Sequence, residues 1–285
     1  MIQKAPALTI FFLLLLHIGC TQNKTVQSPP GYDFSKPAIF KMPDVLAEIS
    51  GIALKEGSAD TVYAEQDEEG KVFYFHLGDK EVNHTKFSKK GDFEDIAVGK
   101  NYLLLLRSDG VVFSFPLNER FNKDAAGVNE QRDLLDAGEY ESMYADQQTG
   151  IVYILCKNCA IDKNKGAVSG YTFKLGDDGK LSADKAFSVD ENAIAKLIGQ
   201  QSIRLKASAL ARNPLTNEWY ILSSVNKLLV VTNSDFGPLK VYHLNPPLFS
   251  QPEGIAFDKA GNLYISNEAG EGPGATILQF LHAKH

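Results

Sequence analysis

The chain has 285 residues and a formal net charge of −6, with 35 acidic against 29 basic side chains. Neither a basic stripe nor basic residues interleaved with aromatics can be found in it, so nucleic acid is excluded as a partner. The roughly 250 residues that follow the first segments are enough to bury one large core.

Residues 1–19 read as a processing segment and not as part of the fold. Lys4 supplies a positive start, and residues 8–16 form an apolar run of nine. Such a run is too short for a bilayer, which takes about 20 helical residues, but it suits a signal peptide. It closes in His17-Ile18-Gly19-Cys20, a small residue before a cysteine, which is similar to a bacterial lipobox. Cys20 is therefore expected to be lipidated and to become the mature N-terminus, with several acyl chains holding the protein to a membrane. His17 stands where leucine is usual, and an ordinary secretory signal is the alternative. Residues 20–36 are polar, contain Pro29-Pro30-Gly31 and show no hydrophobic period, so they read as a tether. The folded domain is expected over residues 37–285.

Within that domain short apolar stretches return at short intervals. Ala38-Ile39-Phe40 comes first and can complete the last blade of a closed ring, because the chain ends on another strand pattern at residues 276–281. Val72-Phe73-Tyr74-Phe75, Val111-Val112-Phe113-Ser114-Phe115, Tyr171-Thr172-Phe173 and residues 228–231 follow, separated by turn signals such as Glu69-Gly70, Asp109-Gly110, Asp178-Gly179 and Gly261-Asn262. One segment breaks the β pattern. Residues 190–199 start on Asp190-Glu191, carry apolar residues at helical spacing and end at Gly199, which predicts a single inserted helix.

A repeated grammar orders these strands. Glu48-Ile49-Ser50-Gly51-Ile52-Ala53, Phe93-Glu94-Asp95-Ile96-Ala97, Tyr140-Glu141-Ser142-Met143, Lys206-Ala207-Ser208-Ala209-Leu210 and Gln251-Pro252-Glu253-Gly254-Ile255-Ala256 each precede a second strand. The key positions 48, 94, 141, 208 and 253 are spaced by 46, 47, 67 and 45 residues. A period of roughly 40–50 residues with several strands in each unit predicts an all-β fold, a β-propeller whose blades cover one another's faces and edges. Five repeats are readable. The long interval holds the helix, and this insertion together with residues 118–137 leaves five or six blades open.

In a propeller the innermost strand of each blade lines the channel, so Glu48, Glu94, Asp95, Glu141 and Glu253 are expected at one mouth. Converging carboxylates repel one another, and must be protonated, paired with bases or neutralised by a cation. Oxygen donors without nearby His or Cys favour calcium, with magnesium second. The competing reading makes these glutamates structural clamps that accept backbone N–H groups between blades. Asp67, Glu68, Asn267 and Glu268 at second-strand ends, with Arg107, Lys206 and Ser208, are candidates for binding a ligand beside the ring; Arg204 and Lys227 lie near strand ends as well. Cys156-Lys157-Asn158-Cys159 has no second cysteine pair and follows a strand, so a small structural disulfide is expected before zinc or redox chemistry. No G-x-S-x-G elbow, H-E-x-x-H or phosphate-cradling glycine loop is present, and no catalytic residue is assigned.

The motifs just quoted, together with Asp67-Glu68-Glu69-Gly70, Leu106-Arg107-Ser108-Asp109-Gly110, Leu222-Ser223-Ser224 and Asn262-Leu263-Tyr264-Ile265-Ser266-Asn267-Glu268, resemble the SdiA-regulated (YjiK-like) family over residues 37–281. The resemblance implies a TolB-like propeller, usually six-bladed, in the cell envelope and often a lipoprotein. It implies no established activity. The chain departs from the family pattern at Ser142, where Gly is usual, and at Lys206-Ala207-Ser208, where Pro-Ser is usual. The expectation is a monomeric, membrane-anchored envelope lipoprotein that binds a divalent cation and a small-molecule or protein ligand on one propeller face. A calcium-dependent propeller hydrolase, phosphoesterase-like (phytase-like) or lactonase-like, is the alternative from a different class.

Overall fold

The computed structural model describes Met1 and residues 27–55, 57–270 and 274–283. The expected signal peptide and Cys20 lie outside the described residues. Strand β1 (Ala38–Lys41) opens the fold. Four consecutive antiparallel blades follow, each running from the channel outward. The first holds β2 (Ile49–Lys55), β3 (Ser58–Gln66), β4 (Glu69–Phe75) and β5 (Asn83–Lys90). The second holds β6 (Phe93–Gly99), β7 (Tyr102–Arg107), β8 (Val112–Pro116) and β9 (Asn129–Gln131). The third is β10 (Gly138–Ala145), β11 (Ile151–Cys159), β12 (Ala167–Leu175) and β13 (Leu181–Asp190). Helix α1 (Glu191–Leu197) leads to the fourth, β14 (Ala209–Arg212), β15 (Trp219–Ser223), β16 (Leu228–Thr232) and β17 (Pro238–His243). The fifth combines β18 (Pro252–Phe257), β19 (Leu263–Asn267) and β20 (Thr276–Phe280) with β1 as its outer strand.

The ring is therefore a five-bladed propeller, closed as the first strand pattern suggests: Ala38 pairs with Gln279 and Lys41 with Thr276. Among the described residues no sixth blade forms. The irregular stretch supplies β9, the outer strand of the second blade, and the long third interval is filled by the extended β12–β13 hairpin and α1. Asp190 caps α1, its side chain accepting from the backbone N–H groups of Asn192 and Ala193.

Burial explains the strand composition. Leu103 to Leu106 on β7 are all fully buried, because a second strand lies between blades on both faces and loses the usual polar alternation. Outer strand β5 returns to alternation, with Thr85 and Phe87 buried and lysines facing out along an edge that residues 123–125 cover only at Lys86. Aromatic rings fill the seams. Phe87, Phe93 and Phe113 meet between the first two blades, while Tyr153, Phe187, Trp219 and Phe236 stack between the third and fourth. Trp219, Tyr63 and Tyr264 are core residues, as their strand positions suggest.

The end of the expected tether is packed. Tyr32 and Phe34 are buried, Phe34 against Phe249 and Phe280, and the Tyr32 hydroxyl donates to the Gly261 carbonyl at 2.6 Å. The folded unit thus begins upstream of Pro37. Two aromatics in a polar stretch carry no period, yet each finds an apolar seat between the fourth and fifth blades.

Candidate functional site

Inner strands β2, β6, β10, β14 and β18 neighbour one another around the channel, and all run through it in the same direction. Their N-terminal ends form one mouth. The repeated glutamate owes its orientation to a local irregularity. On β18 the register slips between Pro252 and Gly254, on β6 between Phe93 and Asp95, and on β10 between Tyr140 and Ser142. Glu253, Glu94 and Glu141 are thus the extra residues of β-bulges, which bend a strand and re-aim a side chain. In the first blade the slip falls between Ile49 and Ile52, and Glu48 lies just before the strand. In the fourth, Ser208 precedes β14.

The glycines beside these positions have a steric reason. A Cβ on Gly51 would lie 2.7 Å from the backbone of Asp95 and Ile96 on the next blade, and one on Gly254 would lie 2.5 Å from the Ser50 carbonyl. Adjacent blades touch backbone to backbone here, which no side chain permits.

The mouth gathers the bulged glutamates with the ends of the second strands. Glu94 is pushed up to about 9, first by burial and then by Glu141, Asp92 and Glu253, against the opposing pull of Lys157. Glu141 is pushed up to about 7 by burial, tempered by its bond with Lys157. Glu268 rises to about 8 through burial and a direct carboxyl–carboxyl hydrogen bond with Glu48, and Gln251 also donates to it. Asp67 rises to about 6 through burial and the charges of Glu48, Glu68 and Asp92. Glu253 is raised by burial, tempered by the nearby Ser224 and Ser208 hydroxyls, so the serine of the fourth blade stands beside the glutamate of the fifth. Asp67 Oδ1, Glu65 Oε2 and Asn267 Oδ1 are buried acceptors with no partner among the described residues.

Not every expected ligand residue belongs to this ring. Asp95 is a clamp: its carboxylate accepts from its neighbour Ile96 N at 2.8 Å and from Met143 N of the third blade at 2.6 Å. Arg107 makes a bidentate pair with Asp109, both bonds 2.8 Å. Lys206 donates to the Asn158 side chain, Arg204 pairs with Glu191, and Glu68 is exposed. The Nδ2 of Asn267 lies 3.3 Å from Thr276 Oγ1, a structural tie within the fifth blade.

Two residues went unremarked in the sequence. Glu65 is fully buried, accepts from Gly51 N at 2.7 Å and is raised well above the ordinary carboxyl range by burial. Lys157 is the ring's internal counter-ion; it bonds Glu141, lies 3.9 Å from Glu139 and is felt by Glu94 and Glu253. Burial lowers its ammonium, but Glu141, Glu139 and Glu94 more than offset that and leave it raised. It sits between Cys156 and Cys159, which are joined in a disulfide, where β11 slips register against β10. A charged residue inside a two-cysteine loop gives no signal from spacing alone.

The comparisons agree with this architecture. The SdiA-regulated family matches residues 178–270, from β13 through the fourth blade to the end of β19, and so bears out the sequence resemblance over that segment. No curated protein matches the chain. Among solved structures, glutaminyl cyclase from Myxococcus xanthus superposes with a TM-score of 0.56 at 13% identity, covering 87% of this chain and 96% of that one. A luciferin-regenerating enzyme superposes with a TM-score of 0.52 at 10% identity, covering 86% and 95%. At such identities the likeness is one of fold alone.

Proposed function

We propose that the acidic mouth binds a divalent cation, calcium before magnesium, and that the protein is a non-enzymatic envelope lipoprotein presenting this face to a ligand or protein partner. The carrying observation is the bulge that turns Glu94, Glu141 and Glu253 of three different blades towards one mouth. The partnerless buried oxygen of Asp67 adds an acceptor at the same place. The donor set is all oxygen, since both nearby cysteines are spent in their disulfide. Among the described residues no three of these carboxyls bring oxygens within 4.8 Å of one another. These side chains would have to close on the ion, which the variable coordination of calcium tolerates better than the strict octahedron of magnesium. Glu48, Glu94, Glu141, Glu253, Glu268 and Asp67 would hold the ion, which would supply positive charge to an anionic or polar ligand.

The mouth that awaits a cation is held together by protons and Lys157, so calcium uptake must displace protons. Calorimetry at pH 7 in two buffers of different ionisation heat is expected to show about one or two protons released per ion, from Glu94 and Glu268. A chelator is expected to lower the melting temperature of the purified protein at pH 8.5. No retained metal and no chelator effect at that pH would sink the cation site.

Anchoring rests on residues 8–16 and Cys20. No helix among the described residues is long and apolar enough to cross a membrane. Labelled palmitate is expected to enter the full-length protein in a bacterial host and to be absent from Cys20→Ser. Equal labelling of the two, or none in either, removes the lipid anchor.

One observation favours the hydrolase reading. Burial holds the Lys227 ammonium below the ordinary lysine range while it feels Glu253, and its Nζ donates to the Ser250 carbonyl at 2.6 Å, so an amine stands beside the ring. Calcium-dependent turnover of p-nitrophenyl phosphate or a γ-lactone, lost in Lys227→Met, would select that reading over the non-enzymatic one.

A further inference from the structure

The other mouth of the channel has a different character. The C-terminal halves of the five inner strands enclose a cavity of about 620 Å³, within the range of small-molecule sites. Each blade contributes aliphatic wall, with Ile52, Val98, Ala145, Ala211 and Ile255 in turn. At its rim stand two carboxylates and two cations: Asp146, Asp258, Arg212 and Lys259.

The carboxylates are already committed. Asp146 Oδ1 accepts from the N–H groups of Gln148 and Thr149, each at 3.0 Å. Asp258 accepts from Ala260 N, Asn262 N, Asn262 Nδ2 and the Tyr264 hydroxyl. Arg212 is not. Its Nη1 lies 3.6 Å from Asp146 Oδ2, too far for a hydrogen bond, and its Nε is buried with no partner. Among the described residues the guanidinium donates no hydrogen bond. Its side chain is 29% exposed, and the guanidinium carbon stands 5.7 Å from the Trp219 ring centroid. A half-buried guanidinium with five donors and an apolar chamber beside it is set up for a planar anion on a hydrocarbon body.

We infer that this wide mouth binds a monocarboxylate with an apolar tail, the tail in the channel and the carboxylate on Arg212. The site is separate from the acidic ring at the opposite end and does not depend on it. Its selectivity follows from the same two features. The chamber accepts the hydrocarbon of an acid or an alcohol equally, whereas only the acid satisfies the guanidinium.

Trp219 is the single tryptophan of the chain and lies against Arg212, so its fluorescence reports on the site. The test titrates the full purified protein with octanoate and with octanol, following Trp219 emission and equilibrium dialysis of labelled ligand. Saturable octanoate binding is expected, at least about tenfold tighter than octanol. Arg212→Gln is expected to lose about tenfold or more for octanoate with little change for octanol, and Arg212→Lys to recover part of the loss. No saturable binding of octanoate to the native protein by dialysis overturns the inference, and so does equal affinity for octanol. These two readouts use the native chain and stand even where a variant fails to fold.

Discussion

Glu94→Gln is expected to raise the melting temperature of the calcium-free protein at pH 8.5 by roughly 5 °C, about 2 kcal/mol, and to change it little at pH 5. Glu94 is raised to about 9 by burial and by Glu141, Asp92 and Glu253. Between the ordinary carboxyl value and about 9 the native state therefore holds a proton that the unfolded chain has released. Stability from this site is fully present below that window and is lost as the pH rises through it. Glutamine remains neutral throughout, so its advantage grows with pH. The magnitude allows for water screening at the partly open mouth. If the proposed site takes calcium, the ion is expected to reverse the ranking, because the native ring would gain a counter-ion that the variant binds less well. Thermal scans at pH 5, 7 and 8.5, with chelator and with calcium, check this. A variant less stable than the native chain at pH 8.5 in chelator would mean that Glu94 is ionised and held by Lys157.

The adjacent residue should behave in the opposite way. Asp95→Ala is expected to cost about 3 kcal/mol, because it strands two buried backbone N–H groups, those of Ile96 and Met143. One of them belongs to the third blade, so the loss loosens a seam of the ring as well as one strand. Asp95→Asn keeps one acceptor but turns an amide NH₂ towards a backbone donor, and should cost about 2 kcal/mol. Urea unfolding measures both. An Asp95→Ala protein as stable as the native chain would remove the clamp. The pair tests the division of labour directly: one carboxyl faces the acidic mouth, and its neighbour holds two blades together.

That division shows where sequence reading ends. The spacing of Glu48, Glu94, Glu141, Ser208 and Glu253 carries the blade repeat, and Ala38-Ile39-Phe40 carries the closing strand, because period and strand pattern are local properties of the chain. The helix at Glu191–Leu197 is equally local, announced by its cap and its spacing. Glu94 and Asp95, however, are chemically alike and adjacent. Only the bulge on β6 sends one into the mouth and the other into the seam. Lys157 and Glu65 carry no mark in the sequence either, since their roles depend on which strands stand opposite.

The wide mouth is the extreme case. Ile52, Val98, Ala145, Ala211 and Ile255 are ordinary strand residues one at a time, and Arg212 is one more charge at a strand end. They become a chamber beside a guanidinium that is ion-paired with Asp146 and whose buried Nε has no partner once five blades close. The chain by itself determines the repeat, the strands and the acidic grammar, because these follow from nearest neighbours along the backbone. Ring closure decides the blade count, the partition of carboxyls between clamp and mouth, and the cavity, because each depends on distances between residues far apart in the chain.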